Sequence, residues 1–175
     1  MMWNDFASEA LPEPGTVFMF RMPNKMRSIC RVLRHGIMND RLYEGEPKAL
    51  IAGSVWIGTE PPELDNPRLR ELLVLTHHSW NADLHVGWVL DLPPLDFLVL
   101  GTLLPTAEDL LLDSIGQCGW EAFPMHAFMQ WRWDHERDAV LQEDTEEDAE
   151  AEAWMRQWNR VFRRMAPGRR KTDRR

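Results

Sequence analysis

The sequence predicts an α+β fold, a curled antiparallel sheet or small β-barrel followed by C-terminal helices. Three observations predict it. Six short apolar runs of strand length, punctuated by proline, glycine and asparagine, occupy the first hundred residues. The pattern changes at Pro105, where helix-start chemistry replaces turn chemistry. From Thr145 onward acids crowd the first turns of a helical stretch and arginines the last, which complements a helix dipole. The implied organisation is a β-rich domain over 1–105, a helical extension packed on it over 106–168, and a disordered basic tail over 169–175.

The elements follow in order. Residues 1–14 read as a lead-in closed by Pro12, Pro14 and Gly15. Thr16–Met22 is rich in β-formers and stops at Pro23-Asn24, and Arg27–Leu33 resumes the pattern, so the pair reads as a hairpin. Leu50–Ile57 is a further strand, with Gly53 as a candidate bulge. Glu71–Thr76, His85–Leu92 and Phe97–Leu100 complete the set. Pro93-Pro94 separates the last two, because proline has no amide hydrogen to give a ladder.

Thr106 with Asp109 three residues on makes a capping box, and Leu110, Leu111, Leu112 and Ile115 continue a short helix that Gly116 or Gly119 ends. Pro124 opens another helix through Gln142. In the final helix Trp154, Trp158, Val161, Phe162 and Met165 fall on one stripe at helical spacing, with Arg156, Arg160, Arg163 and Arg164 opposite. Pro167-Gly168 stops it.

A chain of 175 residues supports a full core without staples. Cys30 and Cys118, far apart in sequence, therefore read as free thiols in a reducing compartment. No apolar run reaches membrane-span length, and Met1–Gly15 carries acids rather than a signal-peptide pattern. These features predict a cytoplasmic protein. Its nine tryptophans are expected mostly in the core.

Charge is distributed unevenly. The net charge is −8, but the last twenty residues hold nine basic residues and one acid, leaving 11 basic against 27 acidic, or −16, over 1–155. Between Arg70 and Arg132 stand eight acids and no lysine or arginine. Such a body repels nucleic acid and attracts basic proteins. Asp83, Asp91 and Asp96 in that segment, and Glu146, Glu147 and Asp148 in the acid-rich run Glu143–Glu152, are candidate partner-binding residues. Trp88 is the candidate apolar anchor among them. The bland alternative is that the acids only keep the domain soluble.

Chemistry-bearing clusters are few. His77, His78, Asp83 and His85 carry ligand-type side chains, but neighbouring strand residues face opposite ways, so His77 and His78 do not share a metal. His78 and His85 could converge across a hairpin, which keeps a metal or hydrolytic enzyme as an alternative. Cys30 and Cys118 lack a nucleophile signature, and Glu108-Asp109 is explained as helix-start acid. No phosphate loop, dinucleotide glycine pattern or zinc-protease motif is present. The residues predict no catalytic site, no metal and no cofactor. A second alternative is an adaptor subunit that docks through the Trp154–Met165 stripe.

One resemblance accompanies these readings. Pro14-Gly15-Thr16-Val17-Phe18-Met19-Phe20, followed by Cys30-Arg31-Val32-Leu33, resembles the opening hairpin of the twenty-sixth immunity-protein family of bacterial polymorphic toxin systems. Gly87-Trp88, Asp91-Leu92-Pro93-Pro94 and Leu100-Gly101-Thr102-Leu103-Leu104-Pro105 are similar to that family's tryptophan, proline and glycine positions. The resemblance covers roughly residues 14–105, and the long helical C-terminal third departs from it. It implies a protein that binds and neutralises a cognate toxin, often a basic nuclease, inside the producing cell. It brings no catalytic residues.

Overall fold

A hairpin organises the sheet. β1 (Thr16–Arg21) and β2 (Arg27–Ile37) pair antiparallel, with Val17 opposite Arg31 and Met19 opposite Ile29. The turn between them closes through Lys25 N–H donating to the Met22 carbonyl and Met22 N–H to the Met26 carbonyl, with Lys25 itself in the left-handed region. The Asn24 side-chain oxygen accepts from Met26 N–H, the local bond for which turns favour asparagine. The computed structural model describes residues 10–37, 45–77, 80–114 and 116–165, with side chains as far as residue 156.

β3 (Pro47–Gly58), β6 (Val86–Val89) and β7 (Leu98–Thr102) complete a five-stranded antiparallel sheet in the order β6-β3-β2-β1-β7, while β4 (Val74–Leu75) and β5 (Asp83–Leu84) form a separate two-stranded ribbon. The register of β2 against β3 slips beside Gly53, where the bulge is expected. The runs expected over Glu71–Thr76 and His85–Leu92 are strand over only part of their length. The sheet does not close into a barrel. Closure would pair β6 with β7, yet the outer edge of β6 is already taken: Trp88 N–H donates to Gly116 and Cys118 N–H to Trp88.

β1 is buried on both faces, which is why its sequence runs apolar without alternating. Phe18 and Phe20 join Cys30, Val32, Ile51 and Val89 under Trp120, Phe123 and Ala127. Val17, Met19 and Ile29 pack on the opposite face with Trp56 and Leu69.

Helix α1 (Ala107–Leu111) begins with both halves of the capping box at Thr106 and Asp109, and ends at Leu112, before either glycine. Arg31 on β2 anchors it: the fully buried guanidinium donates to both Asp109 carboxylate oxygens, at 2.8 and 2.7 Å, and to the Arg70 carbonyl at 3.0 Å. Helix α2 (Ala122–His135) places Pro124 in its first turn, where a missing amide hydrogen costs nothing. Helix α3 (Arg137–Met165) starts eight residues before Thr145. The chain divides into two compact units, Met1–Trp133 and Asp134–Arg175. Thus α1 and nearly all of α2 fold with the sheet, and the remainder of the expected extension forms the second unit. The basic tail 169–175 lies outside the described residues, as do the side chains of Trp158, Val161, Phe162 and Met165.

Candidate functional site

The loop between β6 and β7 is pinned at two points. Trp120 Nε1 donates to the Asp91 carbonyl at 2.8 Å. Phe97 inserts its ring between Phe20, 5.1 Å away, and Trp120, 5.5 Å away, and its amide donates to the Pro94 carbonyl. Pinned at both ends, residues 91–96 turn Asp91, Leu92, Leu95 and Asp96 outward, with Leu95 completely exposed.

β7 follows directly. Its inner edge pairs with β1, and no described strand pairs with its outer edge. Successive side chains of a strand point to opposite faces, yet both Leu98 and Val99 are exposed, at 55% and 64%. Gly101, opposite Val17, follows a bulge that leaves Leu100 without a partner on β1. It adopts a φ of 153° that favours glycine, and Leu64 packs where a side chain would stand. Asp96 therefore adjoins an apolar strand edge that no described strand covers.

The other expected partner-binding residues lie elsewhere. Asp83 is exposed on β5, immediately before β6 and so at the opposite side of the sheet from β7. Glu146, Glu147 and Asp148 are exposed on α3 in the second unit. Trp88 is not an exposed anchor: it is 5% exposed and packs with Leu33, Leu50 and Ala52. Its indole N–H donates to Asp113 at 3.0 Å, and Lys48 and Arg34 lie 4.0 and 4.7 Å from the ring centre. Gly36 leaves the space the ring edge occupies. A tryptophan on a strand paired to β3 and covered by two cationic side chains is a core residue. Asp113 is held below the ordinary carboxylate range chiefly by the Ser114 amide, then by the Trp88 indole.

A concavity of about 730 Å³ is lined by Trp80, Asp83, His85, Cys118, Phe123 and His126 among others. His85 and His126 have ring centres 5.3 Å apart, and His77 lies 6.2 Å from His126. His78, the other histidine expected to converge here, lies outside the described residues. Sequence reading missed His126 and Cys118. Both come from beyond residue 115, and no local spacing ties them to His85.

The chemistry of this cluster is subdued. Burial pushes His85 down to about 3, with His126 and His77 adding to the effect, so its imidazole is neutral near pH 7 and a weak base. Its Nδ1 is buried without a hydrogen-bond partner, packed where a side chain on Gly53 would stand. Burial also lowers His126. Burial, with Glu121, raises the Cys118 thiol to about 11, and burial raises Cys30 well above its ordinary value. Both sulfurs are thus protonated near pH 7 and poor nucleophiles. Among the described residues no three His, Cys, Asp or Glu side chains are placed to hold a metal ion, and no helix is long and apolar enough to cross a membrane. No known protein-family model, curated protein or solved structure matches this chain.

Proposed function

We propose that this chain is an immunity-type binding protein that neutralises a basic cognate toxin by direct contact, acting in the cytoplasm of the producing cell and catalysing nothing. The observation that carries the reading is the pinned 91–96 loop, which exposes Asp91 and Asp96 and leads directly into an apolar strand that no described strand covers, in a stretch of chain without lysine or arginine. Acids at the rim of an interface raise the encounter rate with a basic partner, and the adjoining apolar surface supplies the desolvated contact that slows dissociation. The resemblance of residues 14–105 to the immunity family supports the same reading. So do the weakly basic His85 and the protonated Cys118 thiol of the histidine-lined concavity, neither of which is an activated group of the kind hydrolysis uses.

The test is co-expression with the product of the adjoining upstream gene. That product should be lethal alone and tolerated in the presence of this chain. Stopped-flow association of the purified pair should slow steeply as salt rises, since screening acts on charged encounter. Neutralising Asp91 and Asp96 together should cut the association rate several-fold, and neutralising Asp83 should change it less. Absence of rescue, or an association rate independent of salt, would overturn the reading.

A further inference from the structure

We propose that the outer edge of β7 receives an extended basic segment of the partner as an added strand, so that Leu98–Thr102 becomes an interior strand in the complex. This rests on the reading of the chain as a binder of a basic protein. A strand edge left open presents unpaired amide and carbonyl groups, and natural sheets guard such edges with lysine, proline, inward charges or covering segments. The two edges of this sheet differ in that respect. Residues 116–118 cover β6 through backbone bonds on both sides of Trp88. Leu98-Val99-Leu100-Gly101-Thr102 carries neither charge nor proline, and no described segment pairs with its outer side. Its bulge lies toward the Gly101 end, which leaves Leu98 and Val99 in regular register with Met19 and Phe18.

The edge also specifies what kind of strand fits. Leu98 and Val99 expose apolar surface on both faces, so an added strand gains contact from alternate side chains whichever face they occupy. Asp96 stands two residues before Leu98, at the mouth of the edge, and the pinned loop holds Asp91 nearby in the chain. Register brings two cations to this end of the sheet, Arg21 at the close of β1 and Arg27 opposite it on β2, one and two strands further in. A second copy of this chain is a poor occupant. Pairing β7 with itself would bring together two molecules that each carry a net charge of −8. A basic, extended segment meets both the hydrogen-bonding and the charge requirement.

The experiment uses the full chain and three short probes. One is a peptide alternating lysine and valine. The second is its twin, N-methylated at every residue so that neither strand edge can donate ladder bonds. The third replaces lysine by glutamate. Binding is followed by fluorescence anisotropy of labelled peptide, and amide exchange of the protein locates the contact. The lysine peptide should bind at least about tenfold more tightly than its methylated twin, a difference of roughly 1.4 kcal/mol, and should slow exchange within Leu98–Thr102. Equal binding of the lysine peptide and its twin would overturn strand addition and leave the basic-partner reading standing. Tighter binding of the glutamate peptide, with exchange slowed in β7, would keep the added strand and overturn the basic partner. Slowed β7 exchange on concentrating the protein alone, with dimer seen by light scattering, would assign the edge to a second copy and overturn the proposal. Binding with no protection in β7, or no binding of any probe, would overturn it as well.

Discussion

Arg31 and Asp109 illustrate how one buried pair joins distant parts of this chain. Asp109 closes the capping box of α1 and at the same time receives both arms of a buried guanidinium. Replacing Asp109 by alanine leaves that cation buried without its carboxylate, and should cost about 3–5 kcal/mol in chemical denaturation. Burial alone would raise the Asp109 pKa, but the bonds from Arg31 and Thr106 outweigh it and the net direction is down. The carboxylate therefore stabilises the fold above its unfolded value of 3.8, and that contribution is lost as pH falls below it. His85 titrates over a different window. The unfolded chain takes up a proton below 6.5, but the buried ring resists protonation until about 3, so acidification between these values favours unfolding. Wild type should lose up to about 1.4 kcal/mol per pH unit through this group. His85→Gln should flatten that slope when urea midpoints are measured across the window, and an unchanged slope would refute the assignment. Gly53→Ala, which drives a methyl group into the His85 ring, should destabilise by about 1–3 kcal/mol.

At the scale of elements, two tryptophans separate sharply. Trp88 on β6 is enclosed by β3, Arg34 and Lys48, so Trp88→Ala should cost about 3–5 kcal/mol. Trp154 on α3 is 57% exposed, and Trp154→Ala should cost clearly less than Trp88→Ala. Thermal denaturation of both variants checks the pair, and equal losses would contradict the difference in burial. The same contrast governs the sheet edges. β6, whose outer edge is covered, buries Gly87, Trp88 and Val89, and β7, with no described strand on its outer edge, exposes Leu98 and Val99.

For the whole molecule, charge sets behaviour in solution. With a net charge of −8 at pH 7 and an isoelectric point near 5.2, copies repel one another at neutral pH and lose that repulsion on mild acidification. Light scattering should find a minimum in solubility near pH 5.2, and added salt should promote association at pH 7 by screening. A solubility that rises steadily toward acid would show that self-repulsion is not what keeps the chain dispersed.

The sequence by itself determined the α+β class, the opening hairpin, the capping box at Thr106 and the acid-rich body. These are local or additive properties: proline and asparagine end strands wherever they stand, and charge sums without regard to fold. It carried three features in another form, because each depends on residues distant in sequence. The sheet stays open rather than closing into a barrel because residues 116–118 reach the edge of β6 first. Arg31, one basic residue among many in the sequence, is buried because Asp109, seventy-eight residues later, arrives beside it. Trp88 reads from sequence like any candidate anchor, and its packing against Leu33, Leu50 and Ala52 beneath Arg34 and Lys48 makes it core. Asp91 and Asp96 were legible as exposed acids, but the place of Asp96 at the start of a strand with one open edge was not. Tertiary structure decided that, since an edge is defined by the strand that is absent from its outer side, and no local pattern records which neighbour a strand will lack.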